Sequence, residues 1–145
     1  MKEKLQHTKR NNLKVNWRTV WYSVLIWLMG IIVGGFVVLP WYYLVFPLIV
    51  LWTTVVYFNS KRSEKSFRAG LWISLFWFFS ICTLDFIEII GPYYFDVPFY
   101  FSDSRNWLKY PLILLVPVIY SLVLESSRFR KPPRRVLAPK LSADI

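Results

Sequence analysis

The sequence predicts an all-α integral membrane protein: a four-helix bundle with both the N and C termini in the cytoplasm. Of its 145 residues, 56% are hydrophobic, which exceeds the roughly 45–50% of soluble domains. The apolar residues are concentrated in blocks, and residues 19–60 contain no Asp, Glu, Lys, Arg or His. A straight helix of that length would measure about 63 Å, about twice the thickness of the hydrocarbon core. The chain must therefore turn back once within this block.

The apolar blocks predict four membrane spans, at about residues 19–39, 41–58, 69–90 and 107–124. Pro40 marks the first reversal, because proline stops a continuing helix and yet fits the first turn of the next one. Gly91 and Pro92 end the third span. The fourth span has the shortest apolar stretch, and Pro117 near its middle is expected to kink it.

The remaining segments are predicted to be a loop and two tails. Segment 91–106 has six aromatic residues, is too rich in Pro and Gly for a clean helix, and is expected at the outer membrane interface. Residues 1–18 form a basic tail, and residues 126–145 form a second basic tail that is expected to be disordered. The first span is expected to be an uncleaved anchor, because it exceeds the 7–15 apolar residues of a cleavable signal core.

The positive charge is placed at the ends of the spans. The net charge is +10, and 16 of the 18 Lys and Arg residues lie before the first span, between the second and third, or after the fourth. Such residues stay on the cytoplasmic face and attract anionic lipid headgroups. We therefore expect a multi-pass protein of the cell (inner) membrane, with the bilayer rather than nucleic acid as its partner.

The basic run after the fourth span has two interpretations. It could bind anionic lipid headgroups or a cytoplasmic partner, or it could simply fix the topology, which is the commoner case. The candidate headgroup contacts are Arg128, Arg130, Lys131, Arg134 and Arg135.

Asp85 and Glu88 in the third span are the clearest candidates for a functional site, because ionisable residues at membrane depth are costly. At 100° per residue they continue a stripe with Ser74, Trp77 and Ile81, which is expected to face the bundle. Counted from the inner boundary, Asp85 lies about 24 Å along the helix, about one turn below the outer interface.

The acidic pair has a functional and a structural interpretation. It could form an outward-opening acidic pocket or ion site, or Asp85 could simply pair with Lys109 or Arg105 at the start of the fourth helix. Because its depth and its available partners are both ordinary, the structural interpretation is favoured.

Gly30 and Gly34 form a Gly-x-x-x-Gly motif, which lets two membrane helices approach closely. The motif could mediate self-association or pack helices within one chain, and the second is favoured.

Catalytic chemistry has little support in the sequence. The only histidine, His7, lies in the basic tail, the glycines form no phosphate-binding loop, and Cys82 has no partner cysteine. No catalytic residue, cofactor or metal site is predicted. An enzyme would need a metal or lipid substrate, and two carboxylates without a third ligand are a weak signal for either.

The segments GLWISLFWFFSICTLDFIEIIGPYY and WLKYPLILLVPVIY give the chain a hydropathy and spacing that resemble small four-helix bacterial inner-membrane proteins with no assigned activity. The resemblance implies a compact helical bundle with an Asp near the outer end of the third helix, where Asp85 stands.

Two functions follow from these observations. The first is a small non-enzymatic membrane protein that acts through a partner membrane protein or by self-association. The alternative is a small transporter or channel subunit, in which Asp85 and Glu88 attract a cation or a proton at the outer mouth.

Overall fold

The computed structural model describes residues 16–60, 63 and 65–129, and within these residues the regular structure is entirely helical. The helices are α1 (Trp17–Phe36), α2 (Leu39–Asn59), α3 (Phe67–Ile90), α4 (Val97–Ser102) and α5 (Ser104–Phe129). All but α4 are long and apolar enough to cross a membrane. The expectation of an all-helical membrane protein with four spans is thus confirmed, while the cytoplasmic location of the termini stays a prediction.

The two ends of the bundle are built differently. At one end, which we call the hairpin face, lie the turn Val37–Val38 between α1 and α2 and the segment 91–103 between α3 and α5. At the other end, the tail face, lie the start of α1, the end of α2, the start of α3 and the end of α5. The hairpin half and the tail half are the halves of the bundle next to these two faces.

The order of the helices around the bundle follows from their contacts. Helix α1 packs against α2 and α3, and α5 packs against the same two helices. The four spans are therefore arranged in the cyclic order α1, α2, α5, α3, so that α1 and α5 face each other across the middle.

The first reversal lies two to three residues before its predicted position. The chain turns at Val37–Val38, and Pro40 instead occupies the first turn of α2. Its missing amide donor costs nothing there, because the first amides of a helix have no partner within the helix. The prediction that Pro40 itself forms the reversal was therefore wrong.

Helices α3 and α5 begin earlier than predicted, and α5 also ends later. The side chain of Ser66 accepts a hydrogen bond from the Ala69 amide at 3.3 Å, which caps α3 two residues before the predicted start. Helix α5 extends to Phe129, so residues 126–129, predicted as the start of the disordered tail, are helical. Residues 130–145 lie outside the described part of the chain.

The aromatic segment 91–106 was predicted to contain no clean helix, which was wrong for its second half. The carboxylate of Asp96 accepts a hydrogen bond from the Phe99 amide at 3.0 Å and so caps α4. Pro98 follows in the first turn, where its fixed backbone angle favours a helix. Proline in this position starts the helix rather than preventing it.

Helices α3 and α5 approach most closely in the tail half. A Cβ atom added to Gly70 would lie 2.0 Å from Ser121 Oγ and 3.1 Å from the Pro117 carbonyl oxygen, so only glycine fits. One turn further along α3, the hydroxyl of Ser74 donates to the Leu114 carbonyl at 2.7 Å and to the Ile113 carbonyl at 3.3 Å. Pro117 lacks the amide that would have bonded to Ile113, and Ser74 satisfies that carbonyl instead.

The core of the tail half is filled by aromatic and aliphatic side chains. Trp77, Phe58 and Val50 are fully buried. The indole of Trp77 donates to the Thr19 carbonyl at 3.1 Å, and the Thr19 and Tyr57 hydroxyls lie 3.0 Å apart. Trp77, Thr19 and Ser74 thus bond to a neighbouring helix. Other buried hydroxyls donate to carbonyls of their own helices, as those of Ser23, Thr53, Thr54 and Ser121 do.

Candidate functional site

The polar side chains of α3 meet those of α5 in the hairpin half. Helix α3 presents the predicted stripe to the bundle interior: Ser74, Trp77, Ile81 and Asp85 are at most 1% exposed, and Glu88 is half-buried. The expected orientation of the stripe is confirmed.

Asp85 accepts hydrogen bonds at both carboxylate oxygens. Oδ1 accepts from Lys109 Nζ at 2.8 Å and from the Trp27 indole at 3.0 Å, and Oδ2 accepts from the Tyr110 hydroxyl at 2.6 Å. The charge is therefore balanced by an ammonium group and spread over two neutral donors. Of the two partners proposed for Asp85 from the sequence, the structure selects Lys109.

Lys109 is itself nearly buried and holds α4 against the bundle. Its ammonium group also donates to the hydroxyl of Tyr100 at 2.7 Å, and it lies 5.2 Å and 5.7 Å from the ring centres of Tyr100 and Tyr110, within the range of cation–π attraction. Tyr100 is fully buried, and burial raises the pKa of its hydroxyl well above its usual value. The hydroxyl therefore stays neutral and can accept the bond from Lys109.

Arg105, the other partner proposed for Asp85, is engaged elsewhere. It lies four residues before Lys109, which places it about one helical turn closer to the hairpin face. Its guanidinium forms an ion pair with Asp103 through Nε and Nη2, and its Nη1 donates to the Gly34 carbonyl at 2.6 Å. The hydrogen bonds from Arg105 lower the pKa of the Asp103 carboxyl.

A cavity of about 230 Å³ lies between the four long helices in the hairpin half. Its apolar wall includes Ile26, Phe46, Ile81 and Ile113, and its polar wall includes Glu88, Asp103, Arg105, Asn106 and Lys109. Helices α1 and α5 stand on opposite sides of it. The exposed lining is about equally apolar and polar, so the cavity suits a small molecule that has both polar and apolar parts.

Glu88 lines this cavity one turn beyond Asp85. Its Oε2 atom is buried and accepts no hydrogen bond from any residue that the structure describes. Carboxylate oxygens that are removed from water normally have a partner. Glu88 is thus the one cavity-lining acid here for which the described chain supplies no ion pair.

The two glycines predicted to pack helices lie on the cavity wall of α1. A Cβ atom added to Gly30 would lie 3.2 Å from the Phe46 ring, and one added to Gly34 would lie 3.9 Å from the Tyr42 ring. Both rings belong to α2 of the same chain. Because Gly30 and Gly34 have no side chains, part of the cavity lies where side chains of α1 would otherwise be.

The remaining sequence candidates lie away from this site. Arg128 is exposed in the last turn of α5, and the four other proposed headgroup contacts, Arg130, Lys131, Arg134 and Arg135, lie outside the described residues, as does His7. Within the described ranges, no three His, Cys, Asp or Glu side chains form a group that could hold a metal ion.

Trp27, Tyr100 and Tyr110, which all bond to the buried pair, were not predicted from the sequence. A signal was present for Trp27, because an indole near the middle of a span needs a hydrogen-bond acceptor. Tyr110 directly follows Lys109, but its contact with Asp85 depends on the rotation of α5 and could not be inferred from spacing.

Comparison of the chain with known protein families, curated proteins and solved structures finds no match.

Proposed function

We propose that the chain is a small non-enzymatic protein of a cell membrane that binds a small polar solute in the hairpin cavity, as a solute-binding or transport subunit. The observation that carries this proposal is the cavity itself, whose wall combines apolar side chains with charged side chains from α3 and α5.

The position of the charged groups supports a binding role. Ionisable side chains at membrane depth are costly, and they commonly mark a path or site for ions and polar solutes. Asp85 is neutralised by Lys109, which argues against Asp85 as a free ion site. Glu88 is not neutralised in this way, and it faces the cavity.

The packing of the tail half supports a one-sided site. Trp77, Phe58 and Val50 fill the core between the cavity and the tail face. A solute would therefore reach the cavity from the hairpin face, and transport would require this packing to open.

The distribution of charge supports the orientation. Basic residues flank the spans at the tail face, and such residues stay in the cytoplasm. In this arrangement the tail face contacts anionic headgroups of the inner leaflet and the cavity opens to the outside.

Association with itself or with another membrane protein, the first function expected from the sequence, has weaker support. Gly30 and Gly34, the residues that would mediate it, face Phe46 and Tyr42 of the same chain. Nothing in their surroundings favours a second molecule over the chain's own α2.

The proposal is tested by filling the cavity. Full-length protein in lipid nanodiscs is heated with n-butylammonium, β-alanine or butyrate, as a small cation, zwitterion and anion. A ligand that binds only the folded state raises the unfolding temperature, so we expect at least one solute to stabilise the wild type. Gly34→Leu, which places a side chain in the cavity, should remove the effect, whereas Thr83→Leu on the exposed face of α3 should keep it. Equal stabilisation of both variants, or of neither the variants nor the wild type, contradicts the proposal.

A further inference from the structure

We infer that the solute is a small organic ammonium ion whose charged end pairs with Glu88. This inference rests on the proposed solute-binding function and names the class of solute.

The first step is the charge of the cavity wall. Four charged side chains line it: Glu88, Asp103, Arg105 and Lys109. Arg105 is paired with Asp103, and Lys109 is paired with the buried Asp85. Glu88 is therefore the one carboxylate on the cavity wall that has no ion pair among the described residues.

The second step is the environment of that charge. No Lys or Arg nitrogen of the described residues lies within 4.0 Å of the Glu88 carboxylate, and its Oε2 atom is buried without a hydrogen-bond donor. Glu88 lines the cavity, and because the terminal torsion of a glutamate side chain is soft, rotation about it can turn Oε2 toward the cavity. A cation bound in the cavity would supply the missing partner.

Third, the ion pairs of Arg105 and Lys109 disfavour an anionic solute. All three guanidinium nitrogens of Arg105 already donate to Asp103 or to the Gly34 carbonyl. Lys109 uses two of its three donors on Asp85 and Tyr100. An anion would compete with carboxylates for these groups and would also be repelled by Glu88.

The fourth step distinguishes an organic cation from a metal ion. Calcium and magnesium require about six or more oxygen ligands, whereas the cavity offers one carboxylate without an ion pair. The aromatic residues Trp27, Tyr42, Phe46 and Tyr93 also line the cavity. A cavity that combines a carboxylate with aromatic walls suits an ammonium group that carries an apolar body.

The size of the cavity limits the solute. Its volume of about 230 Å³ is below the roughly 300–1,000 Å³ of pockets that hold drug-sized ligands. The ligand is therefore a short alkylammonium or a comparably small amine.

The experiment is calorimetric titration of the full-length protein in nanodiscs with n-butylammonium chloride, with sodium butyrate and potassium chloride at equal ionic strength as comparison ligands. We expect saturable binding of n-butylammonium alone. Glu88→Gln should weaken it at least tenfold. The matched control is Glu125→Gln in the tail half, where the remaining carbonyl oxygen can still accept the bond from the Phe67 amide, and its affinity should equal that of the wild type.

Several outcomes overturn the inference. They are an unchanged affinity in Glu88→Gln, butyrate binding as tight as that of the ammonium, or potassium binding that displaces it. Should Glu88→Gln fail to fold, two other variants test the inference. Glu88→Asp keeps the charge and should bind n-butylammonium. Gly34→Leu keeps the charge but fills the cavity and should not bind it.

The failure of this inference can be separated from that of the proposed function. Stabilisation by butyrate or β-alanine that Gly34→Leu removes would leave a solute-binding protein with a different ligand class. Absence of any solute effect in the wild type would reject both.

Discussion

The two halves of the bundle differ in how their buried polar groups are hydrogen-bonded. In the tail half, single hydroxyl and indole groups bond to backbone carbonyls of a neighbouring helix, as Ser74 does to α5 and Trp77 does to α1. In the hairpin half, charged side chains bond to one another, as Asp85 does to Lys109. The core of the tail half is filled, whereas the hairpin half contains a cavity beside the charged groups.

One stripe of α3 supplies buried polar groups to both halves. Ser74 and Trp77 lie on the same face as Asp85 and Glu88. What differs is the partner helix: α5 presents Pro117 and Ser121 to the tail half and presents Arg105 and Lys109 to the hairpin half. Neutral hydrogen bonds fix the packing in one half, whereas paired charges set the polarity of a pocket in the other.

The largest effect is expected from removing the cation of the buried pair. Lys109→Met leaves the Asp85 carboxylate buried without a counter-charge, and breaking a buried pair in this way costs about 3–5 kcal/mol. We expect a correspondingly large drop in the unfolding temperature, measured by circular dichroism in detergent micelles.

A double variant separates charge from packing at this pair. Asp85→Asn combined with Lys109→Met removes both charges and should recover most of the lost stability. Lys65→Met, in the loop between α2 and α3, is the matched control and should change the unfolding temperature little. A double variant as unstable as Lys109→Met alone would show that the pair does not act through its charges.

Much of this comparison was present in the sequence, and the pattern of α3 explains why. A uniform apolar block predicts a span, since membrane thickness fixes its length, and a helical period of 100° predicts which face Asp85 shares with Trp77. Both inferences depend on one helix at a time. The four spans and the buried stripe were therefore predictable before any contact was known.

The features that depend on two helices were not predictable. Whether Asp85 would meet Lys109 or Arg105 depends on the axial offset and rotation of α5 against α3, which no local pattern specifies. The cavity depends on four helices at once, because it lies where Gly30 and Gly34 of α1 present no side chain. Helix α4 was missed for a different reason: Asp96 and Pro98 form a start signal that was outweighed by the high Pro and Gly content around it.

A smaller effect is expected from the neutral hydrogen bonds of the tail half. Ser74→Ala removes the hydroxyl that donates to the Ile113 and Leu114 carbonyls, and a bond of this kind contributes about 0.5–1.5 kcal/mol. In a Pro117→Ala background, the restored amide can donate to Ile113, so the same substitution should cost less. Thermal unfolding of the wild type, the two single variants and the double variant measures the coupling between Ser74 and Pro117.

The control for this cycle is another span hydroxyl that does not serve a proline. Thr83 donates to the Phe79 carbonyl of its own helix at 2.9 Å, and Thr83→Ala should have the same small effect with Pro117 or Ala at position 117. An equal cost of Ser74→Ala in both backgrounds would show that Ser74 does not replace the missing amide.

The smallest effect is expected at the rim of the cavity, where the pair of Asp103 and Arg105 is partly exposed. Because the bonds from Arg105 lower the pKa of Asp103 in the folded protein, the pair stabilises the fold above the unfolded pKa of about 3.9. That stability is lost as the pH falls through the lower pKa of the folded protein.

Exposed pairs contribute about 0.2–1 kcal/mol, so at pH 6 the unfolding temperature of the wild type should be slightly higher than that of Asp103→Asn. The difference should shrink below pH 4, because protonation then removes the same charge that the substitution removes. Unfolding temperatures of both proteins between pH 6 and pH 3 measure this convergence. A constant gap across the range would mean that Asp103 stabilises the rim without its charge.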